Sequence, residues 1–398
     1  MDLKLYPCKL SGRINIIPSK SQAHRFLICA AFADRETVLH CPETNRDMDA
    51  TAACLNALGA DIRHNGSYYT VKPVSKIPET AILPCCDSGS TLRFLLPVVG
   101  ALGIDAKFLT EGRLAQRPLS PLWEEMERMG CRLAWEDEKT LRCMGKLYAG
   151  EYRIDGSVSS QFISGLLFAA ALIPGRNQIR ITGRVESKPY ISMTCQALNA
   201  FGCTTNHYTV TGRKALCSPG ALTVEGDWSN AAFFLAANAL GCSLQLKNLS
   251  YTSMQGDRAA AELIPKLKQH CTISAADIPD LIPILSVVAA CNHGADFRDI
   301  RRLRLKESDR VESVMAMIIA LGGRAEADEN TLKIYGTGLN GGTVDCRNDH
   351  RIAMSAAIAA TACDHPVILL GSQCVAKSYP CFFDEYRRTG GKYEQYLR

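Results

Sequence analysis

At 398 residues the chain exceeds a single typical core, so two domains are expected. A composition that is 47% hydrophobic and 21% charged excludes a disordered chain, and a net charge of +5 without basic runs interleaved with aromatics argues against a nucleic-acid partner. The longest apolar stretch, Phe162 to Ile173, contains Ser164 and Gly165 and is too short to span a bilayer, which argues against a membrane protein.

The chain opens on MDLKLYPCKL, which lacks the basic-then-apolar form of a signal peptide, so a cytoplasmic location is expected. The first residues, LKLYPCKLSGRINII, read as two strands with nothing before them. Further on, similar segments recur. CLNALGADIRHNGSYYTV resembles EMERMGCRLAWEDEKTLRC, CQALNAFGCTTNHYTVT and MIIALGGRAEADENTLKIYG. In each, a helical pattern ends at a glycine (Gly59, Gly130, Gly202, Gly322), and strand, polar turn and strand follow, with Asn65-Gly66 the clearest hairpin turn.

A second helix type, built of small apolar residues, is expected to be buried on most sides. Its starts fall near Ser21, Ser90, Ser160, Ser229, Leu281 and Arg351, at steps of 69, 70, 69, 52 and 70 residues. Partner helices start near Asp47, Pro118, Lys188, Asp257, Asp309 and Ser378, at steps of 71, 70, 69, 52 and 69. The two series agree, shortened step included, so the chain holds six copies of one helix-and-sheet unit. The last copy lacks room for its hairpin, and the amino-terminal strands are expected to complete it. Three units per globule then give an α/β chain of two domains: residues 1–18 plus 226–398, and an inserted 19–225. The two crossings, near Pro18 and Gly226, would make a hinge.

Eighteen cysteines carry no CxxC spacing and lie mostly in apolar segments (Cys29, Cys54, Cys242, Cys291), so buried reduced thiols are expected rather than disulfides or a metal centre.

The starts of the buried helices carry the unusual chemistry: PSKSQAHR, DSGSTLR, SVSSQF, GDWSN, DIPDLIP and NDHRIAM. One serine or aspartate per helix is explained as an N-cap. Lys20 with Ser21 and Arg25, Gly89 with Arg93, and two serines before Gln161 exceed that need. A helix amino terminus with hydroxyls and a nearby cation is an anion site. The partner helices add QRPLSPL, ESKPYIS, KESDR and AKSYPCF, with Pro118, Pro189 and Pro380 as helix-start devices. Arg117 and Lys377 beside such starts oppose the helix dipole, which a bound anion would offset. In KESDR, Lys306, Glu307, Asp309 and Arg310 place four charges of mixed sign in five positions, and Asp309 with Glu312 reads as a capping box.

Taken together, Ser19-Lys20-Ser21 with Arg25, Asp87 to Arg93, Arg117-Pro118, Ser159-Ser160-Gln161, Ser187-Lys188-Pro189-Tyr190, Pro279-Asp280, Lys306 to Arg310, Asp349-His350-Arg351 and Lys377 to Pro380 resemble the EPSP synthase (3-phosphoshikimate 1-carboxyvinyltransferase) family over nearly the whole chain. The resemblance implies two globules of three βαβαββ-like units each, an inside-out α/β barrel arrangement, and a hinge cleft. It implies transfer of the enolpyruvyl group of phosphoenolpyruvate to the 5-hydroxyl of shikimate 3-phosphate, with phosphate released, no cofactor, no metal, and a monomer as the default.

By the same resemblance, Lys20, Ser21, Arg25, Ser159, Ser160, Gln161, Ser187, Tyr190, Asp280 and Lys306 would hold shikimate 3-phosphate. Lys20, Gly89, Arg117, Gln161, Arg310, Arg351 and Lys377 would surround phosphoenolpyruvate. Asp280 would accept the hydroxyl proton, Glu307 would relay a proton at the methylene carbon, and Lys20 would assist phosphate departure. Gly89 would let backbone approach the ligand. The chain departs from the family pattern at Ile17-Pro18, where Pro-Gly is frequent, at Asp87, where Asn is frequent, and at Arg302, where a shorter polar residue is expected. Two rivals remain: a UDP-N-acetylglucosamine enolpyruvyl transferase, disfavoured because the loop TEGRLAQRPLS lacks cysteine, and a non-catalytic anion-binding relative.

Overall fold

The computed structural model describes residues 1–397. The chain forms two compact units, Pro18–Glu225 and the pair Met1–Ile17 with Gly226–Arg398. Each has its own apolar core.

In the Pro18–Glu225 unit one motif is built three times. Its middle copy shows the plan. Strand Thr80–Cys86 leads into the buried helix Gly89–Leu102, and strand Asp105–Thr110 returns parallel to the first. Helix Leu122–Arg128 then precedes the hairpin Cys131–Trp135 and Thr140–Gly145, whose second strand pairs antiparallel with Asp105–Thr110. The third copy repeats this with Glu151–Asp155, helix Ser160–Leu172, Gly175–Thr182, helix Lys188–Ala200 and the hairpin Thr205–Asn206 and Thr209–Gly212. Small residues let the first helices sink into the core. A Cβ at Gly165 would stand 2.3 Å from the Arg93 carbonyl oxygen, so the helices Gly89–Leu102 and Ser160–Leu172 approach at van der Waals limits.

The first copy departs from chain order. Helix Lys20–Ala31, strand Thr37–His40, helix Arg46–Ala57 and the hairpin Asp61–Asn65 and Tyr68–Lys72 take their remaining strand from Ala221–Thr223, which pairs parallel with Thr37–His40. In the hairpin Asn65 pairs with Tyr68, so the turn residues are Gly66 and Ser67, with Gly66 at φ +60°.

In the other unit, the copy with helices Ile282–Cys291 and Arg310–Ala320 is complete, its sheet ordered Cys271–Ser274, Ala295–Arg298, Thr331–Tyr335, Arg324–Ala327. The amino-terminal strands are divided between the other two copies, where both were expected in the last. Leu3–Tyr6 pairs antiparallel with Val367–Leu370 and with Lys392–Gln395, so the last copy keeps one hairpin strand of its own and borrows the other. Ser11–Asn15 instead runs parallel to Ser243–Lys247. That copy, with helices Trp228–Ala239 and Ala260–Lys266, has a two-stranded sheet and no hairpin, which is the physical content of the 52-residue step.

Partner helices in three copies start later than expected. The 3-10 turn Gly256–Ala259 covers the expected start at Asp257, the 3-10 turns Leu114–Gln116 and Ser372–Lys377 end just ahead of Pro118 and Ser378, and Leu122, Ala260 and Phe382 open the helices. Arg117, held extended at ψ 132° ahead of Pro118, shows why: the ring disfavours helix in the residue before it. Pro118 and Pro380 thus lie ahead of their helices, whereas Pro189 sits in the first turn. Cys29 and Cys54 are buried, but Cys242 and Cys291 are half-buried and Cys217 is exposed. Among the described residues no helix is long and apolar enough to cross a membrane.

Candidate active site

In the Pro18–Glu225 unit the first helix is capped by Ser19, whose hydroxyl accepts from the Gln22 amide. Lys20 follows, and its Nζ lies 2.8 Å from Oδ2 of buried Asp47, in the first turn of the partner helix Arg46–Ala57. Arg25, one helical turn beyond Ser21, is buried. Its Nε donates to Thr194 Oγ1 at 2.8 Å, Nη1 to the Ser21 carbonyl at 2.6 Å and Nη2 to the Tyr190 carbonyl at 2.8 Å. Burial pulls its pKa down to about 10. The guanidinium therefore ties the Lys20 helix to the Lys188–Ala200 helix. Ser187, ahead of that helix, is buried in the left-handed region at φ 55°, a costly conformation for a residue with a side chain.

The Gly89 helix, capped by Ser88, meets two arginines. A Cβ on Gly89 would stand 2.6 Å from Arg117 Nη1 and 2.8 Å from Arg93 Nη1. Gln161, in the turn capped by Ser159, bridges this group: Nε2 donates to Ser90 Oγ at 2.9 Å, and Oε1 accepts from Arg93 Nη1 at 3.0 Å. Ser160 is buried beside it. Gly89, Arg117 and Gln161 are thus brought together, with Arg93, noted beside Gly89 in the sequence but given to neither substrate, as a fourth member.

In the other unit the two cations of KESDR converge on Asp280. Helix Arg310–Ala320 is capped by Asp309, whose Oδ1 accepts from the amides of Val311 and Glu312. Glu312 does not close the expected capping box; its Oε1 accepts from Arg304 Nη1. Arg310, 1% exposed, spreads its fork over three carboxylates: Nε to Asp349 Oδ2 at 2.9 Å, Nη1 to Asp280 Oδ1 at 2.5 Å and Nη2 to Glu307 Oε2 at 2.6 Å. Arg351 Nη2 reaches Asp280 Oδ2 at 3.2 Å, and Lys306 Nζ lies 3.6 Å from Asp280 Oδ1. Burial works against the charge on Asp280, but Arg351, Lys306 and Arg310 hold its carboxyl well below the usual range. Burial lowers Lys306 to about 8, opposed by Asp280 and reinforced by Arg310 and Arg302. Lys377 is buried at the end of the turn Ser372–Lys377, which packs on the helix bearing Arg351.

Three carboxylates here went unassigned from sequence. Asp47 partners Lys20, and Asp349 receives Arg310 together with the Ser308 hydroxyl at 3.0 Å. Asp257 accepts from Ser229, and burial, then the charge of Asp280, raises its carboxyl to about 6. All three stand at or beside helix starts, the one signal that could have drawn attention to them. Among the described residues, no group of three histidine, cysteine or acidic side chains is placed to hold a metal ion.

The family model for EPSP synthase (3-phosphoshikimate 1-carboxyvinyltransferase) matches residues 6–277 and 266–386. The chain belongs to the EPSP synthase family. Curated relatives named 3-phosphoshikimate 1-carboxyvinyltransferase include that of Clostridium beijerinckii, 36% identical and aligned over 99% of both chains. That of Clostridium acetobutylicum is 36% identical over 98% of this chain and 97% of its own. Among solved structures, an EPSP synthase from Acinetobacter baumannii superposes with a TM-score of 0.80 at 22% identity, covering 99% of this chain and 100% of that one. The enolpyruvyl transferase NikO from Streptomyces tendae gives 0.76 at 18% identity, covering 99% and 98%. These two likenesses establish the EPSP synthase fold, and the curated relatives establish the family.

Proposed function

We propose that this chain transfers the enolpyruvyl group of phosphoenolpyruvate to the 5-hydroxyl of shikimate 3-phosphate and releases phosphate, as a monomer in the cytoplasm. The observation that carries the reading is the end-to-end match to enzymes named for this transfer. The charge clusters are the chemistry it needs. Ser21, Arg25, Ser159, Ser160, Gln161, Ser187, Tyr190, Asp280 and Lys306 are assigned to shikimate 3-phosphate. Gly89, Arg117, Gln161, Arg310, Arg351 and Lys377 are assigned to phosphoenolpyruvate, and Lys20 to both.

In the addition step the 5-hydroxyl oxygen bonds to C2 of phosphoenolpyruvate, its proton passes to Asp280, and Glu307 delivers a proton to C3. In the elimination step the C2–O bond to phosphate breaks, C3 returns a proton to Glu307, and Lys20 neutralises the leaving phosphate. Arg310 supplies the timing. Its fork is filled by Asp280, Glu307 and Asp349, so an incoming anion takes the place of a carboxylate. Asp349 is fully buried and keeps its bond, so the carboxylate exchanged is Asp280 or Glu307, the two groups that must move protons, and Asp280 keeps Arg351 and Lys306 as partners either way.

The test is phosphate release from phosphoenolpyruvate with shikimate 3-phosphate or with UDP-N-acetylglucosamine as acceptor. Release with the first acceptor alone is expected. Release with the UDP-sugar alone would make the chain its transferase, and silence with both would leave an anion-binding relative. Light scattering at the mass of one chain checks the monomer.

A further inference from the structure

Lys20 and Asp47 form an ion pair, and the residues four positions on in each helix form a second contact one turn deeper. His24 Nδ1 lies 2.6 Å from Thr51 Oγ1. Residues four apart share a helix face, so the two contacts are successive rungs between the Lys20 and Arg46 helices, about 6 Å apart along the axes. The lower rung continues. Thr51 Oγ1 lies 2.7 Å from Thr91 Oγ1, and Thr91 donates to Ser88 Oγ at 2.8 Å. Ser88 caps the helix that begins at Gly89. Four buried side chains thus join the starts of three helices that carry Lys20, Asp47 and Gly89.

The donor order follows from the last link. With the Thr91 hydroxyl donating to Ser88, Thr51 donates to Thr91, and His24 donates to Thr51 from Nδ1. Nε2 of His24 is then an unprotonated nitrogen, buried with no hydrogen-bond partner, while the ring sits edge-on to Phe94. Burial, then Lys20 and Arg25, pushes the imidazole pKa well below its ordinary value, so the ring is neutral at pH 7.

We propose that His24, Thr51 and Thr91 are positioning residues for the transfer, a hydrogen-bond chain running from His24 Nδ1 to Ser88 that fixes Lys20 and the Gly89 start in one register. The role rests on the functional reading above, in which Lys20 and Gly89 meet phosphoenolpyruvate. It differs from a packing role in a testable way. Valine keeps the shape of threonine but breaks the chain, whereas serine loses a methyl group and keeps it.

The experiment compares Thr51→Val, Thr51→Ser, Thr91→Val and Thr91→Ser in the full chain for kcat, KM and thermal midpoint. It adds 15N NMR of histidine-labelled protein, with His24→Gln to assign the resonance. Small misplacements of catalytic groups are costly, so both valine variants should lose about tenfold in kcat, and both serine variants should stay within about twofold of wild type. The wild-type His24 ring should be neutral with its proton on Nδ1. Folded valine variants with wild-type kcat, serine variants as impaired as valine, or a charged or Nε2-protonated His24 would each overturn the proposal. No phosphate release by the wild-type chain overturns the functional reading and the role built on it. Release by wild type with unaffected valine variants overturns the positioning role alone.

Discussion

At Gly89 the limit on side-chain size is set by the guanidinium groups of Arg93 and Arg117, which fill the space a Cβ would need. Both are the far ends of flexible side chains, so Gly89→Ala should displace them at little cost in stability. The displaced cations should raise the KM for phosphoenolpyruvate about tenfold, the weight of roughly one charged hydrogen bond, with the thermal midpoint nearly unchanged. Steady-state kinetics and a melting curve check both halves. Gly89 and Arg117 stood out in the sequence as candidates for an anion site; that the Arg117 guanidinium lies against Gly89 did not, because contacts across 28 residues leave no periodic trace. Asp257 was read only as a helix start, since burial and the nearby Asp280 are products of folding. Its carboxyl, raised from 3.8 to about 6 by burial and then by Asp280, releases its proton first in the unfolded chain as pH rises. The folded state is therefore penalised progressively between about pH 4 and pH 6, and fully above that, by up to about 3 kcal/mol. Asp257→Asn keeps an acceptor for Ser229 and removes the penalty. Urea unfolding should show the variant gaining on wild type between pH 4.5 and 7.5; a constant difference would contradict this.

Among the elements, the helices were the most legible, because small apolar residues in runs of ten or more leave a period of their own. The six copies and their shortened step came from the agreement of two series of helix starts. Strand partners were harder to read. Leu3–Tyr6 and Ser11–Asn15 are adjacent in sequence yet join different sheets, and four or five residues of alternating pattern do not name a partner. The structure makes Leu3–Tyr6 an interior strand, hydrogen-bonded on both edges, with Leu3 and Leu5 buried. Leu5→Ala should therefore behave as a core truncation and cost about 3 kcal/mol. Lys4→Ala, on the opposite face of the same strand, should cost under about 0.5 kcal/mol. Denaturant midpoints for the pair separate a structural strand from a loose amino terminus.

For the molecule as a whole, the boundary between the units falls between a strand and the helix that follows it, at both crossings. Ser11–Asn15 precedes the Lys20 helix but pairs in the other unit, and Ala221–Thr223 precedes the Trp228 helix but pairs with Thr37–His40. Each unit thus completes a sheet with a strand far away in sequence, but only the unit of residues 1–17 and 226–398 draws it from across a crossing. For residues 18–225 that strand is carried within the segment, and its ends are neighbours: the Ser19 amide donates to the Glu225 carbonyl at 2.7 Å. The segment holds its own core and three complete sheets, so it should fold alone. Residues 226–398 lack both amino-terminal strands, which leaves one sheet without its interior strand and reduces another to a single strand. Expressed separately, 18–225 should melt in one cooperative transition, and 226–398 should give none until a peptide of residues 1–17 is added. Calorimetry on the two fragments, with and without the peptide, decides the matter. A cooperative transition from 226–398 alone would mean that the borrowed strands decorate its core rather than complete it.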